Sequence, residues 1–229
     1  MNTKVNTYRF AGALSAAEKN RVLRNTYWLL ALSMVPTVLG AWVGVATGIT
    51  AGLTGFAGLA VFLGGAFGFM FAINKTKDSA AGVPVLLAFT FFMGLMLSRL
   101  IGAVLGLSNG AGLIMTAFAG TGLAFFGMAA LSSVIKRDLG NLGKTLFIGA
   151  VMLMVAGIVN VFMQSSALMM AISVLAIGLF SAFILHDLKR VRDGEETNYI
   201  TATLGVYLSL FNIFQSLLSL LGIMGSSDD

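Results

Sequence analysis

HDLKRVRDGEETNYITATLGVYLSLFNIFQSLLSLLGIM (His186–Met224) sets a charged run directly against an apolar one. Its first part holds four of the nine acidic residues of the chain, Asp187, Asp193, Glu195 and Glu196. It also holds Lys189, Arg190, Arg192 and the only histidine, His186. From Ile200 to Met224 there is no Asp, Glu, Lys or Arg. That second part is as long as the ~20 apolar residues a helix needs to span a bilayer.

The alternation repeats along the chain. Six more apolar blocks meet the same length: Tyr27–Thr47, Leu53–Ile73, Val83–Leu105, Leu113–Val134, Thr145–Met163 and Leu168–Leu185. Together they make the chain 58% hydrophobic and only 10% charged, against ~45–50% and ~25% in soluble domains. The sequence therefore predicts an all-α integral membrane protein with seven transmembrane helices. Residues 1–26 form a polar N-terminal tail, 27–224 the transmembrane domain and 225–229 a short C-terminal tail. No short apolar core ends at a small-residue cleavage site near the N-terminus, so the first span is expected to act as an uncleaved anchor. Cysteine is absent, which removes disulfides, thiolate nucleophiles and cysteine-held cofactors.

The basic residues give an orientation. Lys4, Arg9, Lys19, Arg21 and Arg24 precede the first span. Lys75 and Lys77 lie in the second link, Lys136, Arg137 and Lys144 in the fourth, and Lys189, Arg190 and Arg192 in the sixth. The other links carry no charge. All bases but Arg99 thus fall on one side, which the positive-inside rule makes cytoplasmic. The N-terminus is expected inside, the C-terminus outside, and an odd number of spans follows. The net charge of +5 reads as topology beside anionic lipid and not as nucleic-acid binding.

Glycines recur four apart, at Gly40, Gly44 and Gly48, at Gly64 and Gly68, and at Gly102, Gly106 and Gly110. Four apart is one helix face, and small residues there let backbones approach, so these read as packing seams within the bundle, with homodimer faces as the other use. Pro36 is expected to kink the first span, while Pro84 sits at a tolerated helix start. Tyr27, Trp28 and Trp42 fall where interfacial anchors do. The methionines read as core filler.

Little is left for chemistry. There is no HExxH, GxGD or GxSG, and one histidine without cysteine builds no zinc or copper site. Catalytic, cofactor-binding and metal residues are therefore not expected. Ionisable residues inside a membrane are functional hypotheses by default. Arg99 lies about 9 Å inside the outer end of the third span at ~1.5 Å per residue. Either its long stem snorkels to the headgroups or it faces a cavity. Asp187 follows directly on the apolar run of the sixth span, as a boundary acid or a functional one. Asn212 and Gln215 share a face of the seventh span and read as an interhelical hydrogen-bonding pair, which favours a buried seventh helix.

DGEETNYITATLGVYLSLFNIFQSLLSLLG (Asp193–Gly222) resembles the C-terminal signature of the Bax inhibitor-1 family, and TAFAGTGLAFFGMAALS (Thr116–Ser132) its middle signature. RVLRNTYWLLALS (Arg21–Ser33) and GEETNYI (Gly194–Ile200) are similar to the bacterial YccA-like branch. The resemblance spans Arg21 to Gly222. It implies two three-helix layers around a central seventh helix, in the bacterial inner membrane. It also implies one of two functions. Branch members bind and restrain the membrane AAA protease FtsH, which associates with HflK/HflC-type scaffold proteins. Other members are pH-sensitive calcium leaks, with Ca²⁺ as permeant ion only.

In the leak members a carboxylate near the end of the sixth helix pairs with one on the seventh, and such a pair titrates as a unit. Here Asp187 matches the first position, while Ser209, in Tyr207-Leu208-Ser209, stands at the second. Ser209 also lies about 13 Å into its span, deeper than a boundary Asp187 reaches. Arg99 departs from the proline more often found in the family. The candidate functional residues are Asp187, His186, Ser209, Asn212 and Arg99. Lys189, Arg190 and Arg192 are taken to mark a cytoplasmic loop, with Asp193, Glu195 and Glu196 as its solvated acidic balance.

Overall fold

The computed structural model describes residues 15–136 and 139–226. They form seven helices: α1 Ala16–Thr47, α2 Gly55–Thr76, α3 Gly82–Leu105, α4 Gly110–Val134, α5 Gly140–Met163, α6 Ser166–Asp193 and α7 Tyr199–Gly225. Each is long and apolar enough to cross a membrane, as the seven apolar blocks require, and the chain is a multi-pass all-α membrane protein. In lipid a helix is the form that satisfies every backbone donor and acceptor within its own segment.

The first helix starts well ahead of the apolar block. The Ser15 hydroxyl accepts from the Glu18 backbone N–H at 3.2 Å, and the Glu18 carboxylate accepts from the Ser15 N–H at 2.8 Å. This reciprocal cap starts the helix at the following residue. The part of the tail from Ala16 to Thr26 is therefore helical. Its residues 1–14, with Lys4 and Arg9, lie outside the described residues, as do Arg137 and the C-terminal residues 227–229.

The helices fall into two groups of three. α3 packs on α1 and α2, α6 packs on α4 and α5, and α7 lies between the groups, touching α1, α2, α3, α4 and α6. Its buried residues, among them Thr203, Val206, Tyr207, Ile213 and Leu218, fall on several faces, so the seventh helix is central. The periphery is the converse: α2 buries only Ile73 and α5 only Leu146 and Asn160 among the described residues. Trp28, Phe56, Phe118, Phe126 and Phe162 point outward, as side chains facing lipid do.

The closest contact runs along α1 and α3. A Cβ at Gly40 would lie 2.1 Å from the Phe91 carbonyl oxygen, and one at Gly94 would lie 2.0 Å from that of Thr37. A Cβ at Gly44 would lie 2.3 Å from the Ser98 hydroxyl. This seam was legible from Gly40 and Gly44, but the other glycine sets do not behave as expected. Gly48 is the left-handed cap of α1, with φ 65° and open space around it. Gly64, Gly68 and Gly102 likewise meet nothing within 4 Å, whereas Gly65 packs on the Phe92 ring. Spacing of four fixes a common face but not the side the bundle occupies. Hydroxyls join the seam to the centre: Tyr207 Oη lies 2.9 Å from Thr37 Oγ1 and 3.4 Å from the Thr90 carbonyl oxygen.

Gly94→Ala is expected to lower the thermal midpoint in detergent, through a loss of stability of about 1–3 kcal/mol as overpacking causes. Gly64→Ala is expected to leave it unchanged or raise it, since Ala is the better helix former by about 0.5–1 kcal/mol. Melting both variants beside the parent protein checks the pair.

Candidate functional site

The charged segment is partly built into the bundle: His186, Lys189 and Val191 are buried, while Asp193, Glu195 and Thr197 are exposed. Lys189, Arg190 and Arg192 belong to the last turns of α6, where positive charge suits the helix dipole. The loop expected there begins only at Gly194. Gly194 takes φ 87°, a left-handed conformation that glycine adopts without penalty. Its N–H donates to the Arg190 carbonyl at 3.1 Å, and the Glu195 N–H donates to the same oxygen at 2.9 Å. Charged residues at a helix end do not break the helix, so α6 outruns its apolar block.

Of the three acids taken as solvated balance, Asp193 and Glu195 are exposed as expected, and all three have partners as well. Asp193 accepts from the buried Lys189 ammonium at 2.7 Å. Glu195 lies 3.7 Å from Arg190, and Glu196 accepts from the Asn198 N–H at 2.9 Å. The segment also ties distant elements together. Lys19 of α1 donates to the Asp193 carbonyl at 2.6 Å, and Arg192 donates to the Ser132 carbonyl at the end of α4. The Asn198 side-chain oxygen caps α7 by accepting from Ile200 and Thr201 N–H groups. Its amide nitrogen donates to the Lys77 carbonyl at 3.1 Å and the Asp78 carboxylate at 2.8 Å.

Inside this ring sits Asp187, its side chain 19% exposed. One carboxylate oxygen is 3.3 Å from His186 Nδ1. The other lies against α7, where a Cβ at Gly205 would be only 2.7 Å away. Asp187 is therefore not a boundary acid facing water. Ser209, buried one turn further along α7, donates its hydroxyl to the Gly205 carbonyl at 3.1 Å. The two matched positions thus approach the same glycine from two sides, one turn apart, about 6 Å along the axis. The depth mismatch expected from the sequence shrinks to that turn because α6 continues past Leu185. His186 is buried, with its Nε2 against Gly143 of α5. Gly205 and Gly143 were missed in the sequence; the one available signal was that Gly205 precedes Ser209 by four.

Two other candidates lie elsewhere. Asn212 donates to the Leu208 carbonyl of its own helix at 2.8 Å, so the interhelical pair with Gln215 does not form; a carbonyl four residues back is always within reach of such an amide. Arg99 is at the opposite end. Its guanidinium donates to the Leu53 carbonyl and, with Gln215, lines a cavity of about 290 Å³. Arg99 is exposed as well as lining the cavity, so the cavity reading gains a geometry and the outward-reaching stem is kept.

Residues 19–226 match the profile of a family described as inhibitor of apoptosis-promoting Bax1. An uncharacterised membrane protein of Vibrio cholerae is 36% identical over the full length of both chains. The Escherichia coli K12 protein named modulator of FtsH protease YccA is 37% identical over 208 residues, 91% of this chain and 92% of that one. A Pseudomonas aeruginosa protein is 37% identical over 92% of this chain and 93% of its own.

A Cβ at Gly205 should push the Asp187 carboxylate off α7. Gly205→Ala is expected to destabilise the fold by about 1–3 kcal/mol, and less so in an Asp187→Ala background. A double-mutant cycle of unfolding free energies should give a coupling of about 0.5–3 kcal/mol; additive losses would mean that the two residues do not touch.

Proposed function

Given that the chain belongs to the Bax inhibitor-1 family, we propose that it is a non-enzymatic membrane regulator that binds and restrains an FtsH-type membrane protease. The observation that carries this reading is the likeness, across nearly the whole of both chains, to the protein named modulator of FtsH protease. The site adds support of a different kind. The lone histidine contacts a carboxylate, lies against the α5 backbone at Gly143 and is turned into the packing, an arrangement for holding helices together. In this reading the protein lies in the bacterial inner membrane with its basic end, the N-terminus included, in the cytoplasm and its C-terminus in the periplasm. HflK/HflC-type scaffold proteins would join through the protease. A bundle seamed at glycine contacts resists extraction and would occupy the protease as a poor substrate. Tagged protein purified in mild detergent from cells is expected to bring FtsH with it; purification without the protease would end this reading.

One observation favours a second reading, a pH-sensitive cation leak. Asp187 is half-buried against α7, a turn from the serine at the position of the second carboxylate. With only one acid the paired titration is lost. Proteoliposomes of the parent protein are expected to pass little Ca²⁺ at pH 6 or pH 8. Ser209→Asp is expected to gain a flux that differs between the two. A parent flux abolished by Asp187→Asn would instead establish the leak.

A further inference from the structure

A cavity lies at the end of the bundle opposite the basic links. It opens where the link between α1 and α2 crosses α3, and it runs inward between α2, α3, α5 and α7. Leu59, Phe62, Leu100 and Phe211 form apolar walls, and Arg99 and Gln215 supply the polar groups. From Gly55 to Phe62 the α2 wall descends about 10 Å at ~1.5 Å per residue. The rim is held in place: the buried Thr50 hydroxyl of the link lies 2.8 Å from that of Ser98, the residue before Arg99. Gly58 leaves room for the Leu53 backbone: a Cβ there would come to 2.3 Å from the Leu53 carbonyl oxygen, and only into ordinary contact with Arg99 Nη1 at 3.6 Å.

Among the described residues Arg99 stands here without a carboxylate. The acids among the described residues, Glu18, Asp78, Asp187, Asp193, Glu195 and Glu196, are all at the other end of the bundle, and the described ion pairs involve none at this one. The Leu53 carbonyl uses one of the five N–H donors of a guanidinium. An arginine within the apolar layer carries a cost that is largest at the bilayer centre, and a neutral carbonyl does not discharge it. A guanidinium fork matches a phosphate with two parallel hydrogen bonds. The apolar walls directly below match a hydrocarbon chain. The volume of about 290 Å³ sits at the lower edge of the ~300–1,000 Å³ range of small-molecule sites, which is room for a head and part of one chain.

We propose that this cavity binds a phosphate-headed membrane amphiphile from the leaflet at that end, with Arg99 as counter-ion, Gln215 as a further hydrogen-bonding group and one acyl chain against Leu59, Phe62 and Phe211. The site is separate from Asp187 and independent of any protease partner. Arg99 then does more than fasten the link through Leu53.

Native mass spectrometry of the full chain in neutral detergent tests this, with dodecyl phosphate, dodecanol and inorganic phosphate as probes. Dodecyl phosphate is expected to be retained at one per chain, and about tenfold or more above either other probe, the loss a charge-assisted hydrogen bond implies. Arg99→Gln is expected to lose that margin, Arg99→Lys to keep part of it, and Leu59→Trp to lose retention with the arginine intact. Equal retention by Arg99→Gln and parent would overturn the proposal and leave Arg99 a structural tie. Dodecanol held as well as dodecyl phosphate would overturn it too, and so would inorganic phosphate held as well, which would make the anion a soluble one. These two probe comparisons need only the parent protein and stand if Arg99→Gln does not fold. Asp228→Asn with Asp229→Asn is expected to bind as the parent does; binding seen only in that double variant would mean that the C-terminal carboxylates fill the site, and the proposal would fall.

Discussion

Lipid gives helices no reason to seek each other, because hydrocarbon tails are as apolar as leucine. Everything else here depends on how the chain supplies attraction by other means. It does so first by proximity, at Gly40, Gly44 and Gly94, where α1 and α3 come so close that a single methyl group would strike a carbonyl or a hydroxyl. It does so again with hydroxyls that join three helices around Tyr207. α7 can then be central while carrying little polarity of its own, since the polar atoms it buries bond to backbone or to neighbours.

Polar chemistry is consequently pushed to the two ends, and the ends differ. At the basic end, carboxylates, ammonium groups and the Asn198 amide close a ring that ties α1, the α2–α3 link, α4 and α6 to the start of α7. The charges from Asp187 to Glu196 all have partners there. At the other end, the Arg99 guanidinium stands over an apolar cleft with no carboxylate beside it among the described residues. The first arrangement holds a fold together; the second leaves bonding capacity unused.

The seven spans were legible because hydropathy is a property of ~20 consecutive residues, and no single residue changes the reading. Their ends were not, since Lys189, Arg190 and Arg192 lower the apolar average without interrupting hydrogen bonds, and only Gly194 stops the helix. The position of Asp187 could be read, but not its neighbour, because Gly205 has no side chain to advertise a contact. Gly40 and Gly64 look alike in sequence and differ only in which helix happens to lie beside them. Arg99 could be marked as costly from its depth, whereas its cavity needed four helices and a link to be placed. Asn212 misled because an amide on a helix has its own carbonyls as competitors.

The antiparallel-free register of α1 along α3 has a mechanical side. The two helices lock at points spread from Thr37 to Gly44 on α1 and from Phe91 to Ser98 on α3, with Tyr207 bridging them to α7. A tension applied to the chain ahead of Ser15, directed along α1, would load those points together in shear rather than open them one by one as a peel does. Force would be shared, no single contact would be the weak link, and the first helix would move only when much of the seam yielded at once.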